Sequence, residues 1–432
     1  MMQSDSALGT VVVVGAGVVG IATALSLRRQ GFAVTLVDRG APGEGCSFGN
    51  AGMIQTGSSL PIGVPGLMRR LPRMLFDPEG PLSLRWRHLP GLLPWGARLV
   101  AQSSAAAAAA NERLLAGLLR EANPAWDALT AGSAAAGVFR ARGELYVVRS
   151  AQAFAGYAGK IATLKANGIA HETLDAAGLH ALEPLLAPDY THGLYLPESR
   201  YVVDPLLLSQ RLLERLRAEG GRFERREITG VQRREDGITL TGPAGELPCA
   251  RLVVAAGAGA SRLGAALGLR LPVEPLRGYH VTLPEMEEAL SGPVIEGEMN
   301  IAVTPMTGGN RVAGTIEFAG HSERPNWRRA EMLVPMARRM VPALAGAATT
   351  RWSGDRPGTP DSLPVLGPAA GDERVWFACG HGMLGLTLAA RSGEMIAAAM
   401  AGLPGARAAL APFGPDRFTS RSTPRHSSKE QA

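Results

Sequence analysis

The sequence predicts an α/β fold that opens on a Rossmann-like βαβ unit, and three observations predict it. The β-branched run Val11-Val12-Val13-Val14 ends in the turn Gly15-Ala16-Gly17-Val18-Val19-Gly20. Ala and Leu then recur at helical spacing from Val18 to Arg29, and a second apolar run, Ala33 to Val37, ends at Asp38. Strand, glycine turn and helix in that order make a weak G-x-G-x-x-G pattern specific for a dinucleotide. Every glycine has its own physical role. Gly15 allows the tight turn, Gly17 lets backbone approach a pyrophosphate, and Gly20 permits close helix–strand packing. The free amides of the helix N-terminus, at Val18 and Val19, attract the anion. Asp38, with Arg39 beside it, would accept from ribose hydroxyls, and its charge disfavours a 2′-phosphate.

A nicotinamide enzyme would continue with alternating βα units. Here the second strand gives way to GEGCSFGNAG, a small-residue loop containing Ser47, Asn50, Ala51 and Gly52. Backbone and short polar side chains of such a loop can surround a planar, polar ring, which favours FAD over NAD. The next stretch, Pro61 to Leu99, is broken by Pro61, Pro65, Pro72, Pro78, Pro81, Pro90 and Pro94, so long regular elements are not expected there. Ala101 to Leu129 reads as a helix and Gly143 to Val148 as a strand. Leu206 to Glu219 is a second helix, with Asp204 as N-cap, Pro205 in the first turn and Gly220–Gly221 as the stop. Strands are expected at Gly237–Leu240 and Leu252–Ala255, the latter running into Ala256 and Gly257, then a mixed strand region to Glu317. Near the end, Cys379-Gly380-His381-Gly382-Met383-Leu384-Gly385 repeats a turn that opens a helix.

Composition narrows the class. With 432 residues and 46% hydrophobic content the chain can bury a sizeable core. Three lysines stand against 41 arginines, and a net charge of +6 is small for this length, so nucleic acid is not an expected partner. The charge is local: residues 69–98 carry +4 and residues 417–432 carry +3, leaving the rest nearly neutral. Cys46, Cys249 and Cys379 are odd in number and without metal-ligand spacing, which excludes a disulfide framework and points to a reducing compartment, as does a first ten residues without signal-peptide character. No metal site is expected. The tail from Pro412 is polar and basic and is expected to be poorly ordered.

The ordered series VVVVGAGVVGIATALSLRRQG, GCSFGNAG, LPGLLPW, LRGYHVTLP, GTIEFAG, SGDRPGTPDSLPVLGP and CGHGMLGLTLAARSG, from Thr10 to Gly402, resembles the D-amino-acid oxidase superfamily of flavoenzymes. The likeness is to bacterial D-amino-acid dehydrogenases and their hydroxyproline-dehydrogenase relatives. It implies a Rossmann-like FAD-binding domain (8–65, 195–272 and 350–411) interleaved with an α+β substrate domain on a mixed β-sheet (66–194 and 273–349). It implies that Gly15, Gly17, Gly20 and Asp38 hold the adenosine diphosphate, and that Ser47, Asn50, Ala51 and Gly52 approach flavin and pyrophosphate. Ile228, Ala256 and Gly257 are then expected near the adenine side. The loop His381, Gly382, Met383, Leu384, Gly385, Leu386 and Thr387 would stabilise charge on reduced flavin.

Arg356 corresponds to the arginine with which relatives grip a substrate carboxylate, and a guanidinium suits that purpose. Tyr279 and Glu317 are weaker candidates for the amine or side-chain end; Tyr279 reads equally as a core strand residue with its hydroxyl satisfied, and Glu317 as a strand-end carboxylate paired with an arginine. Some relatives attach flavin through a His or a Cys, but Gly49 stands at the first position and no Cys near the second, so FAD is expected to be noncovalent. Asn300 and Ala302 replace the His and Tyr of glycine-oxidase-like relatives and disfavour that activity. The resemblance implies a D-amino acid or imino acid as substrate and a quinone or other electron acceptor; the alternatives are an oxidase using O2, a dehydrogenase for another secondary amine such as an opine, and, from a different class, a non-catalytic flavin-binding subunit. The Arg- and Trp-bearing segment Met68 to Ala101 reads first as a proline-broken stretch packing on the substrate domain, its long Arg stems covering apolar surface, and second as a candidate for peripheral contact with the inner face of the cytoplasmic membrane.

Overall fold

In the computed structural model, residues 8–77, 79–321 and 324–418 are described. The first two apolar runs become neighbouring parallel strands, Thr10–Val14 and Ala33–Asp38, joined by the helix Val18–Arg29. They are central in a six-stranded sheet that also contains Arg222–Arg225, Arg251–Val254, Asp372–Cys379 and Val365–Ala369; only the last of these runs antiparallel. Strands brought in from residues 10, 222, 251 and 372 make the nucleotide domain discontinuous. Its first helix lies against the helix Gly385–Met400, and the approach is close because Gly393 has no side chain: a Cβ there would sit 2.9 Å from Ala22 backbone. The helix Pro205–Ala218 is capped as expected, with the Leu206 and Leu207 amides donating to Asp204 Oδ1 (3.0 and 2.9 Å).

The second unit is a nine-stranded mixed sheet. Its main path runs Thr350–Gly358, Glu274–Leu283, Gly309–Phe318, Ile301–Met306, Val294–Glu296, Glu144–Val148, His192–Leu196 and Glu172–Leu174, and Leu82–Leu84 pairs with Gly309–Phe318. Strand alternation divides it into two faces. Tyr279, Val281, Val303 and Val312 turn toward Leu333, Met336 and Met340 of the helix Leu333–Met340 and form one apolar core. Leu276, Gly278 and His280, opposite Arg356, Gly354 and Trp352, share the other face. That face meets the loop that follows Asp38, through bonds from His280 and Arg311.

Several sequence expectations are corrected here. Thr350–Gly358 and His192–Leu196 belong to the large sheet, not to the nucleotide domain, because their ladders lie with Glu274–Leu283 and Glu144–Val148. Conversely, Leu115, Leu119, Trp126 and Leu129 pack into the nucleotide core. The helix expected over 101–129 is two helices, Ala105–Arg120 and Ala122–Thr130, meeting at Glu121. The proline-rich stretch does form helices, Leu67–Phe76 and Leu89–Gln102. Pro90 falls in a first turn, where its missing N–H costs nothing, and the later prolines are tolerated. Residues 412–418 are ordered by Arg417, which donates to both oxygens of Asp361 (2.7 and 3.3 Å) and to Leu363 O. The rest of the basic tail lies outside the described residues.

Candidate cofactor and substrate site

The glycine turn is built as its spacing requires. A Cβ on Gly20 would lie 1.8 Å from Gly15 O, and one on Gly15 would lie 2.3 Å from Ala255 O, so helix, turn and neighbouring strand close on one another only with glycine at both positions. Gly17 caps the first helix without a side chain, and Val18 N–H donates to Ser47 Oγ (2.8 Å). Among the described residues the Val19 and Gly20 amides have no protein acceptor. Asp38 accepts from the Ala16 and Gly40 amides (2.7 and 2.9 Å) and makes no ion pair among the described residues, so further acceptor capacity faces the turn. Arg39 is exposed; Ala256 and Gly257 follow the strand that Gly15 touches, and Ile228 and Ala256 both pack against the adjoining core. Free amides at a helix N-terminus, with a carboxylate at the next strand end, fit the dinucleotide part of FAD.

The second glycine loop joins the two units. Asn50 Oδ1 accepts from Gly52 N–H (2.8 Å), Gly52 O accepts from Val202 N–H (2.7 Å), and Ala51 lies between them. Thr387 Oγ1 accepts from Gln55 N–H (3.1 Å), which ties this loop to the start of the helix Gly385–Met400 and its lead-in Gly382–Leu384. That helix has no side-chain cap. His381 is 3% exposed, bonds Ser392 Oγ through Nε2 (2.9 Å), and burial lowers its pKa to about 4. Met383 is exposed, whereas Leu386 is buried. A contact that the sequence does not show explains Gly49: a Cβ there would lie 2.2 Å from the Trp352 ring. The ring occupies the space a side chain would need, and stacks on His280 with centroids 5.1 Å apart.

Arg356 faces this loop. Its guanidinium lies over Gly278, where a Cβ would come within 2.2 Å of Cζ, and burial lowers its pKa. Its bond to Thr315 O is long (3.4 Å), and among the described residues it has no carboxylate partner. Thr315 is the extra residue of a bulge opposite Gly278 and Tyr279, and it carries a positive φ of 59°. The bulge turns its carbonyl toward Arg356, the kind of local strain that re-aims groups at functional sites.

Tyr279 and Glu317 are not brought to that face. The pleat sends both to the helix-covered side, where Tyr279 O–H donates to Glu317 Oε2 and accepts from Asn326 N–H (2.8 Å). Glu317 also accepts from Arg85 Nε (2.9 Å), and burial raises the Tyr279 pKa to about 12. Arg277 on the same face pairs with Asp355 (2.8 Å). These groups satisfy one another, the arrangement of a satisfied core tyrosine and an arginine-paired carboxylate that the sequence leaves open for Tyr279 and Glu317. Sequence reasoning missed His280, Arg311 and Trp352; the period-two alternation within LRGYHVTLP could have put His280 with Gly278 and Tyr279 opposite.

A largely parallel sheet that ends in a glycine turn and a strand-end carboxylate, packed against a mixed sheet, defines a protein of the dinucleotide-binding α/β class. Comparison with known families narrows this: residues 10–399 match the family DAO, FAD dependent oxidoreductase, and the chain belongs to it and uses FAD. It is 33% identical over 416 residues to the D-amino-acid oxidase of Bradyrhizobium diazoefficiens, covering 94% of this chain and 98% of that one. It is 34% identical over 411 residues to the D-amino acid dehydrogenase of Methylobacterium nodulans, covering 90% and 94%. Among solved structures, glycine oxidase from Geobacillus kaustophilus superposes with a TM-score of 0.74 at 22% identity, covering 95% of this chain and 100% of that one. L-proline dehydrogenase from P. horikoshii gives 0.71 at 19%, covering 95% and 97%. These two share the fold.

Two outcomes follow. Tyr279→Phe lowers stability by about 1–3 kcal/mol, since it orphans a buried carboxylate oxygen, yet shifts substrate KM by less than about threefold; denaturant melts and steady-state kinetics read the two effects separately. Burial lowers the pKa of His280 to about 3 and of His381 to about 4, both from 6.5. The unfolded chain therefore binds the extra protons, and the stability they contribute is complete above pH 6.5 and lost as pH falls toward 4 and 3. At pH 5 each histidine loses about 2 kcal/mol, so His381→Gln flattens the acid limb of a pH-dependent unfolding series.

Proposed function

We propose that this FAD-dependent enzyme is a D-amino-acid dehydrogenase that oxidises a D-amino acid or cyclic imino acid, such as D-alanine, D-proline or cis-4-hydroxy-D-proline. The observation that carries the reading is Arg356, a buried guanidinium on the face toward the flavin loop with no carboxylate partner among the described residues. A substrate carboxylate would supply the missing anion and accept two parallel N–H bonds. The activities for which the Bradyrhizobium and Methylobacterium relatives are named support the D configuration and the amino-acid class.

Bound FAD supplies a ring that accepts a hydride. In this reading Arg356 holds the carboxylate so that Cα–H is directed at that ring, a positioning effect that needs no strong side-chain base when the amine is neutral. His280 and His381, kept neutral by burial, do not compete with Arg356 as cations near pH 7. The amino acid loses hydride and the amine proton to give an imine, which water hydrolyses to a keto acid and ammonia; a cyclic substrate gives a cyclic imine. Gly49, with its side-chain space taken by Trp352, supports noncovalent FAD.

The electron acceptor in this proposal is a membrane quinone. Met68, Phe76, Trp86, Leu93 and Val100 are exposed, Phe76 by 73%, and Arg69, Arg70, Arg87 and Arg98 are exposed among them. Apolar side chains interspersed with arginines suit an anionic bilayer surface. This segment packs beside the Arg356 strand, since Trp95 Nε1 donates to Gly358 O (3.2 Å). Arg85 and Trp95 themselves are engaged in the interior. The D-amino-acid oxidase name of one relative favours a second reading, in which oxygen is the acceptor.

Anaerobic bleaching of the flavin by a D-amino-acid panel tests the activity; at least one member bleaches it, L-isomers do not, and failure of every amine rejects the reading. Slow reoxidation in air with fast reoxidation by a quinone analogue supports the dehydrogenase, and the reverse supports the oxidase. Arg356→Met raises substrate KM by about 100-fold or more, as loss of a charge-assisted pair implies; an unchanged KM removes Arg356 from the carboxylate. Arg69→Glu with Arg70→Glu reduces co-sedimentation with phosphatidylglycerol vesicles by about 30-fold or more, about 1 kcal/mol being at stake for each of the two arginines, and leaves amine-dependent bleaching intact; unchanged sedimentation rejects the membrane contact.

A further inference from the structure

The loop at Ser47–Gly52 is gripped by the large sheet in an unusual way: three successive carbonyls turn into it. Arg311 Nη1 donates to Phe48 O (2.8 Å) and to Asn50 O (2.7 Å), and His280 Nδ1 lies 3.2 Å from Gly49 O. A carbonyl only accepts, so the proton of neutral His280 is on Nδ1. The Arg311 guanidinium also lies over the Phe48 ring, 5.4 Å from its centroid. Arg311 is 8% exposed, and its Nε has no hydrogen-bond partner. The carboxylate that acts on it, Asp204, is committed to capping the helix Pro205–Ala218.

In a peptide unit the N–H points opposite to the C=O that precedes it. With the carbonyls of Phe48, Gly49 and Asn50 drawn into the sheet, the amides of Gly49, Asn50 and Ala51 are turned away from it. Asn50 N–H returns to Ser47 O (3.3 Å), while the Gly49 and Ala51 amides have no protein acceptor among the described residues. Oriented amides and a buried cation behind them both favour negative charge in front of the loop. Reduced flavin carries such charge.

We propose that Arg311, assisted by His280, is a positioning clamp that raises the reduction potential of the bound flavin, aiming the loop's amides at it and holding a buried positive charge behind them. The inference rests on the reading that residues 47–52 face the flavin.

The test is spectroelectrochemical, on the full-length FAD-loaded protein. Arg311→Met lowers the midpoint potential and shifts the visible flavin bands. Arg311→Lys keeps the charge but bonds the two carbonyls less well, and falls between Met and wild type. His280→Gln retains a donor for Gly49 O and stays nearer wild type than His280→Leu. A wild-type potential and spectrum in Arg311→Met overturn the clamp; where that variant does not accumulate with FAD, the same result in Arg311→Lys does so. Asn50→Ala separates the two levels: an unchanged flavin spectrum there removes the loop from the flavin, and the clamp with it. A changed spectrum there, with none in the Arg311 variants, removes the clamp alone.

Discussion

Alternation along the strands of the large sheet is the constraint on which the rest of the site depends. Adjacent residues on Glu274–Leu283 point to opposite sides, so Gly278 and His280 turn to the nucleotide domain while Arg277 and Tyr279 turn to the covering helices. A slip of one residue would exchange the two sets entirely. The bulge at Thr315 makes this choice consistent across the next strand: Glu317 lies opposite Arg277, and Gly314 opposite Tyr279. One face thereby carries Arg356 and Arg311 with no carboxylate in ion-pair contact with them among the described residues, and the other collects the carboxylates that neutralise Arg277 and Arg85.

The ion pairs of the helix-covered face are better understood as register devices than as a source of stability. Arg277–Asp355 and Arg85–Glu317 take charges out of water, and the desolvation cost offsets much of their attraction. Breaking one partner away is nevertheless expensive, because it leaves a buried charge alone. A register in which Arg277 faced the flavin loop would strand Asp355 and Glu317 at once. The pairs thus penalise the wrong alignment more than they reward the right one, and Arg356 stays free because its neighbours' charges are spent elsewhere.

Local chemistry was legible in the sequence wherever it is carried by consecutive residues. The turn Gly15 to Gly20, the carboxylate of Asp38 and the cap Asp204-Pro205 are recognisable because spacing along the chain equals spacing in space. Tyr279 and Glu317 kept two readings open because a motif places residues in a strand without saying which face they take. The helices Leu67–Phe76 and Leu89–Gln102 were hidden by prolines that tertiary packing tolerates, as with Trp95, which is anchored on Gly358. The contacts of Trp352, Arg311 and His280 were hidden for a different reason: their partners, Gly49, Phe48 and Asn50, lie more than 200 residues away in sequence, and alternation could show only the face that His280 takes.

That long-range set also gives meaning to glycines outside any recognised motif. Gly49 and Gly354 make room for the Trp352 ring, and Gly278 makes room for the Arg356 guanidinium. The missing side chains let an indole and a guanidinium lie flat against backbone where two sheets' worth of structure converge. Flat packing matters most for Arg356, because a guanidinium held in plane loses little freedom when it meets a planar carboxylate. The open space and the cation that fills it are thus two results of one choice at Gly278. A side chain at that position would displace the arginine even though it touched neither cofactor nor substrate.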